Sequence, residues 1–369
     1  MSSEYGKALK ISVFGNSHGK AVGVNIDGLP VGEEINEEKL LAFMERRAPG
    51  RNVFSSARKE ADIPVFLSGI SDGKTCGTQI CAIIENRDVR SGDYDGFAVT
   101  PRPGHADYTA VVKYGEDTDI RGGGHFSGRL TAPICIAGGI AKQILEKRGI
   151  YIGAHLSSAG TAKDDAFPLY PTKELFEEIA KKPFPVINSD CGEKMTEIIT
   201  SAAAQLDSVG GTVECAVIGV NAGLGSPMFD GLENRIAAAV FGIPAVKGIE
   251  FGAGFGSSVI FGSENNDAFK IKDGKVVTET NNCGGILGGI SNGMPIVFKV
   301  AFKPTPSIGK EQKTVNLKTM TDTVITVKGR HDPCVAVRAV PAVEAIAAIV
   351  MLDILLEEND GIIRNQEEN

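Results

Sequence analysis

The sequence predicts an α+β fold in which sheets pack on a helical layer. Three observations carry that expectation. Alternating apolar runs occur as hairpin-like pairs, as at residues 10–14 and 22–26. Long apolar helical stretches follow them, above all residues 131–147. The elements do not alternate strictly strand–helix–strand, which disfavours a doubly wound parallel sheet.

Residues 10–14 read as a strand that feeds a turn at 15–19, with 22–26 as its partner. Asn36 can N-cap a helix that opens with Glu37 and Glu38 and carries Leu40, Leu41 and Met44 on its apolar face. That helix should end at Pro49-Gly50, after Arg46 and Arg47. Residues 63–67 and 79–85 read as strands, the latter alternating Ile80, Ala82 and Ile84. A polar loop over 85–103 holds Arg87, Arg90 and Arg102. The helix over 131–147 contains Gly138-Gly139, which points to a close helix–helix approach, and it stops at Gly149. Residues 167–191 contain four prolines and read as a linker or insertion. A helix over 193–206 runs into a turn at 207–211, and residues 212–221 read as a strand. A helix over 232–241 and strands over 295–301 and 324–327 follow, and Pro341 suits the first turn of the final helix. The segments of chemical interest span Gly15 to Pro333, so the chain is expected to form one domain over 1–369.

Glycine is the compositional outlier, 45 of 369 residues, against a typical level of about 7%. The excess has no collagen-like period and points to tight turns and backbone-lined sites. The net charge is −8, from 38 basic and 46 acidic residues, with no basic tract. Nucleic acid is therefore a poor partner, and an anionic ligand must be gripped by local arginines. The N-terminal MSSEYGKALK has no apolar signal core. The apolar stretches at 131–141 and 341–356 are short or interrupted by glycine, Glu344 and Asp353. No membrane span is expected from them. Seven cysteines without CxxC spacing read as reduced thiols in a cytoplasmic protein.

Four of the five histidines lie in short glycine-flanked segments. Histidine titrates near neutral pH, and glycine lets backbone approach a ligand. In GNSHGK, Ser17 and Lys20 accompany His18; an exposed turn histidine would give the same pattern. In RPGHAD, Asp107 lies two residues beyond His105, where it can fix the ring tautomer of a general acid or make only a local turn bond. In RGGGHFSGR, consecutive glycines before a helix can form an anion nest around His125, flanked by Arg121 and Arg129. In KGRHDP, Arg330 can clamp an anion and Asp332 can act as a base; a solvated Asp-Pro turn is the alternative. KPTPS adds Lys303, Thr305 and Ser307 on a proline-stiffened loop, and ERRAPGR adds Arg46, Arg47 and Arg51. No HExxH, HxH or cysteine–histidine cluster suggests a metal, and no GxSxG suggests a serine hydrolase. GAGFG at 252–256 lacks the third glycine of a dinucleotide fingerprint.

Taken in order, these segments resemble the chorismate synthase family. The likeness runs from GNSHGKAVGVNIDGLPVG through RRAPGR, ENRDVRSGDY, RPGHADYT, DIRGGG and AGGIAK. It continues through LDSVGG, AVKGIEFGAGF, NNCGGILGGISNGMPI, KPTPSI and KGRHDPCVAVRAVPAVEA. The resemblance implies a β–α–β sandwich of antiparallel sheets around helices, assembled as a homotetramer. It implies a phosphate-eliminating lyase that converts 5-enolpyruvylshikimate 3-phosphate to chorismate by a 1,4-anti elimination. Reduced FMN would be required without net redox change, supplied through NADPH or a separate flavin reductase.

By the same resemblance, His18 would protonate the leaving phosphate and His105 the reduced flavin. Asp332, near Ser17, would help take a flavin proton. His125, Phe126, Ser127, Ala245, Gly288, Lys303, Pro304, Thr305, Pro306, Ser307 and Arg330 would hold FMN. Arg47, Arg51 and Arg129 would bind the substrate or NADP. The chain departs from the family pattern in three places. Asn16 stands where glutamate is usual, HFSGRLT replaces RSSARET at 125–131, and Val53 falls where a second basic residue is usual. His125 is therefore expected to take a flavin contact that arginine usually makes. Two rivals are a flavin reductase with net redox chemistry and a non-catalytic flavin- or anion-binding protein; intact His18, His105, Arg330 and Asp332 argue against the second.

Overall fold

In a computed structural model, the structure describes residues 3–48, 62–86, 96–327 and 332–367, with side chains to residue 358. Expectations for Pro49, Gly50, Arg51, Val53, Arg87, Arg90, Arg330 and His331 lie outside the described residues.

The first sheet grows from the predicted hairpin. Strands β1 (Glu4–Tyr5), β2 (Lys10–Gly15), β3 (Ala21–Asp27) and α1 (Glu37–Arg47) come first, followed by β4 (Val65–Ser68). A small ribbon of β5 (Ile70–Ser71) and β6 (Lys74–Thr75) precedes β7 (Ile80–Glu85). The antiparallel order is β1-β2-β3-β7-β4, with Val13 opposite Val24 and Val24 opposite Ala82. Val22, Val24 and Ile26 are buried with Ile80, Ala82 and Ile84. The period of two thus turns one apolar face inward. Asn36 caps α1 as its sequence predicts, its Oδ1 accepting from the Lys39 amide at 2.8 Å.

Helix α2 (Asp107–Tyr114) and α3 (Thr131–Glu146) lead to the second sheet, which opens with β8 (Tyr151–Ala159) and β9 (Ala162–Lys163). Helices α4 (Lys173–Lys181) and α5 (Ser189–Ala204) then precede β10 (Gly211–Ile218), α6 (Leu232–Val240) and β11 (Val246–Phe251). A short α7 (Gly262–Asn265) and the hairpins β12 (Phe269–Lys272) with β13 (Lys275–Thr278) and β14 (Ile286–Leu287) with β15 (Ile290–Ser291) follow. Strand β16 (Ile296–Phe302), the hairpin β17 (Glu311–Asn316) with β18 (Thr321–Thr326), and α8 (Ala336–Glu367) complete the fold. The second sheet is antiparallel, in the order β11-β16-β10-β8-β9.

Between the sheets lie α1, α3 and α8, with α3 against β3 and β7 and α8 against β8 and β10. The arrangement is α+β, a β–α–β sandwich. Gly138 and Gly139 permit the close helix packing their sequence predicts: a Cβ on Gly138 would run into Ala345 of α8, and one on Gly139 into Leu40 of α1. One apolar core runs from Leu9 to Ile354. Residues Ala336–Glu358 are long and apolar enough to cross a membrane by composition, yet most of that stretch is buried inside the sandwich.

Several expectations need correction. The predicted linker at 167–191 contains α4 and the start of α5. Thr172 caps α4, which buries Phe176 and Ile179, and Gly153 of β8 leaves room for the Phe176 ring. Prolines there mark the ends of helices, not the absence of them. Pro341 lies beyond the first turn, because α8 starts at Ala336 on the Val335 carbonyl, which accepts from Arg338 and Ala339. Strand β8 has no clear alternation because residues 152–156 are all buried, so its periodicity is silent.

Candidate active site

The histidine turns converge on a run of three glycines, two of which lack a Cβ where a histidine ring lies. Gly122, Gly123 and Gly124 all take positive φ, at 60°, 90° and 54°. A Cβ on Gly122 would overlap the His18 ring, and one on Gly123 would sit 3.2 Å from His105 Nε2. The Ser17 amide donates to the Gly124 carbonyl at 3.0 Å, joining the β2–β3 turn to the same segment.

His105 is held by a buried acid, as the RPGHAD spacing allows. Asp107 Oδ1 lies 2.6 Å from His105 Nδ1, and Asp107 also receives two bonds from the Arg102 side chain, each 2.7 Å. Arg102 Nη2 is 3.1 Å from the same ring nitrogen but donates to Asp107 Oδ1, so Nδ1 is the proton-bearing nitrogen. Burial pushes the Asp107 carboxyl up, but hydrogen bonds and charge from Arg102 and His105 outweigh it and hold it well below the usual carboxylate range. Arg102 stacks 4.4 Å from the Phe97 ring centre and donates to Ser307 Oγ at 3.0 Å.

The KPTPS loop leaves β16 and reaches both neighbours. Lys303 Nζ donates to the Gly104 carbonyl, and the Lys303 amide donates to the Ala245 carbonyl at 3.0 Å. Ala245 itself has φ +72°. Thr305 Oγ1 donates to the Asp332 carbonyl at 2.7 Å, and Pro306 packs beside Gly104. Asp332 is ion-paired to Arg338 at 2.6 Å, and Arg338 Nε also donates to the Arg47 carbonyl at 3.1 Å. Burial pulls the Lys303 ammonium down, and Lys247 adds to this. A partly desolvated lysine with a second cation nearby forms a place where a bound anion is stabilising.

The arginines are fixed in a second, linked cluster. Arg47, at the end of α1, and Arg129, just before α3, share the buried carboxylate of Asp62. Arg47 Nε donates to Thr131 Oγ1 at 3.0 Å, and Arg129 Nε to Asn86 Oδ1 at 3.1 Å. Asn86 Nδ2 in turn donates to the carbonyls of Asn16 and Gly19, on either side of His18. Asp62, Asn86 and Arg338 escape sequence reasoning. Asp62 lies 15 residues from one arginine and 67 from the other, with no local pattern to link them.

Four residues expected beside the flavin also make contacts within the chain. His125 Nδ1 donates to the Gly15 carbonyl at 2.8 Å, and Ser3 Oγ lies 2.6 Å from Nε2. Both ring nitrogens therefore serve the chain itself, pinning the glycine turn to β2. Phe126 packs on the small cluster of Phe97, Ala110, Ile120 and Val327, and Ser127 Oγ accepts from the Arg129 amide at 3.2 Å. Gly288 belongs to the β14–β15 hairpin, whose backbone bonds run to Gly223, Leu224 and Leu232. Among the described residues no cluster of three metal-ligating side chains occurs.

Two histidines, a buried carboxylate and clustered arginines thus meet in a β–α–β sandwich, groups suited to acid–base chemistry on a small anion. A solved crystal structure of chorismate synthase shares the fold, with a TM-score of 0.75, 28% identity, and 96% of this chain and 93% of that chain covered. The chorismate synthase of Lancefieldella parvula is 45% identical over 96% of each chain. That of Thermococcus kodakarensis is 48% identical, covering 97% of this chain and 99% of its own. The family described as chorismate synthase matches residues 9–356. The chain belongs to the chorismate synthase family, a family of lyases.

Proposed function

We propose that the chain converts 5-enolpyruvylshikimate 3-phosphate to chorismate and inorganic phosphate by 1,4-anti elimination. The observation that carries this reading is the contact of His18 and His105 with adjacent glycines of one turn. Imidazoles set against adjacent glycines of one turn can serve as proton donor and acceptor in one site.

The reaction breaks an allylic C–O bond and a ring C–H bond and forms a second ring double bond. His18 donates a proton to the departing phosphate, whose charge would otherwise build up in the site. His105, with Nδ1 committed to Asp107, handles its proton at Nε2 beside the glycine turn. Asp332, oriented by Arg338, is the proposed base, with Ser17 as its expected neighbour. Arg47 and Arg129 bind the substrate's anionic groups, which a planar guanidinium suits.

FMN fits the residues present. Lys303, with Lys247 near enough to help pull its ammonium down, offers positive charge for a phosphate. When bound, reduced FMN lends electron density and takes it back, so no net redox change results. Lys303, Ala245 and the KPTPS backbone would hold it. Thr305 and Ser307 shape the loop through the bonds they already make to Asp332 and Arg102.

The reduced flavin is proposed to come from a separate reductase, with NADPH as the ultimate donor, in the cytoplasm, where seven free cysteines stay reduced. The chain is read as one domain, which its shared core supports. A homotetramer is proposed as well. Exposed Phe255, Phe261, Phe269 and Ile271 support buried contacts between copies. Light scattering at the mass of a monomer would refute that assembly.

The test of function is an anaerobic assay for chorismate with supplied reduced FMN. Chorismate and phosphate in equal amounts are expected. Folded protein that yields neither refutes the reading, and steady NADPH consumption without chorismate would favour a flavin reductase instead.

A further inference from the structure

Buried ion clusters elsewhere in the fold tie elements together. Glu344 of α8 receives Arg46 and Lys142, and Asp353 of α8 receives Arg235. Asp62 differs, because both of its partners are arginines proposed to bind substrate. Its carboxylate is fully buried, and each oxygen takes one guanidinium: Oδ2 that of Arg47, Oδ1 that of Arg129. Two guanidinium groups so close in a site shielded from water would repel one another without an anion between them.

Other features of Asp62 point the same way. Its backbone sits at φ +49°, a left-handed conformation uncommon for a residue other than glycine. Burial pushes its carboxyl up, but the charges and hydrogen bonds of Arg47 and Arg129 hold it below the usual range, so it stays ionised. The rest of each guanidinium is braced by Thr131, the Gly128 carbonyl and Asn86. Asn86 passes the register of Arg129 on to the turn that carries His18.

We propose that Asp62 is a positioning residue for substrate binding, which holds Arg47 and Arg129 at one fixed spacing, in register with His18. The inference rests on the reading of those arginines as substrate clamps. A rigid pair loses little side-chain freedom when the anion arrives, so affinity depends on Asp62 while the proton transfers do not.

The test is the anaerobic assay on the full chain with 5-enolpyruvylshikimate 3-phosphate and supplied reduced FMN. Asp62→Asn should raise KM by about tenfold or more and leave kcat within about threefold, the signature of lost uniform binding. In an Arg129→Gln background the same change should raise KM by less than it does in wild type, because one of the two arginines through which Asp62 acts is already gone. A folded Asp62→Asn with unchanged KM, a fall confined to kcat, or full additivity with Arg129→Gln would each overturn the role. If Asp62→Asn does not fold, Asp62→Glu keeps the charge but shifts its oxygens, and wild-type KM in that variant overturns the role equally. Wild-type protein that makes no chorismate would overturn the activity and this inference together; product from wild type with an unmoved variant KM removes only Asp62.

Discussion

His18 and His105, 87 positions apart in the chain, pack against adjacent glycines of one turn: the first against Gly122, the second against Gly123. The His18 ring could not lie where it does if Gly122 carried a side chain, and a Cβ on Gly123 would crowd the His105 ring at 3.2 Å.

The two rings should therefore be separable by mutation. His18→Ala and His105→Ala are each expected to lower turnover by about 100-fold or more, the usual scale for acid–base groups, with FMN affinity largely kept. Anaerobic turnover and flavin titration of both variants check this. Near-normal turnover in either removes that histidine from the chemistry.

The turn itself should be as sensitive as the histidines. Gly122→Ala places a methyl group in the space of the His18 ring and also strains a backbone at φ +60°. The left-handed penalty is about 1–2 kcal/mol, so the fold should survive. Turnover should drop by about 100-fold, as if His18 were lost. Circular dichroism with kinetics distinguishes this from unfolding.

His125→Ala removes the pin between the glycine turn and β2, with bonds to the Gly15 carbonyl and Ser3. Each hydrogen bond is worth about 1 kcal/mol, so the loosened turn should weaken FMN binding about tenfold, while turnover at saturating flavin stays within about threefold. An unchanged flavin dissociation constant would exclude that role for the pin.

A buried cluster outside the site predicts a pH optimum for stability. His155 lies between Asp164 at 2.9 Å and Glu214 at 2.8 Å. Burial pulls the His155 ring down, but hydrogen bonds and charge from the two acids outweigh it and raise the ring above its ordinary value. Burial pushes both acids up, yet His155 and nearby backbone amides hold them below theirs. The histidine's contribution is full below its unfolded value near 6.5 and fades as pH rises through the raised one. The acids' contribution is full above about 4 and fades as pH falls through the lowered ones. Melting temperature should peak between these limits as far as this cluster is concerned. His155→Asn should cost about 3 kcal/mol and flatten the alkaline decline. Parallel melting curves for variant and wild type across pH would count against the linkage.

Much of the fold is local and so can be read without coordinates. Asn36 caps its helix through its own side chain, Val22, Val24 and Ile26 alternate, and Gly138-Gly139 admits Ala345. Backbone geometry, period and side-chain size are properties of neighbouring residues. The family likeness further links the histidine turns, because their motifs are long and ordered. Strand β8, by contrast, is buried on both faces and lacks a period, and proline-rich 167–191 conceals two helix starts between its turns.

What only the tertiary structure decided is which charges meet. That Asp62 joins Arg47 to Arg129 and that His125 serves β2 are facts of residues distant in the chain. An isolated carboxylate or imidazole has the same chemistry wherever it stands in the sequence. Its partner is chosen by the packing of α1, α3 and α8 between two sheets, because a hydrogen-bonded pair forms only at contact distance and this packing sets which groups reach it.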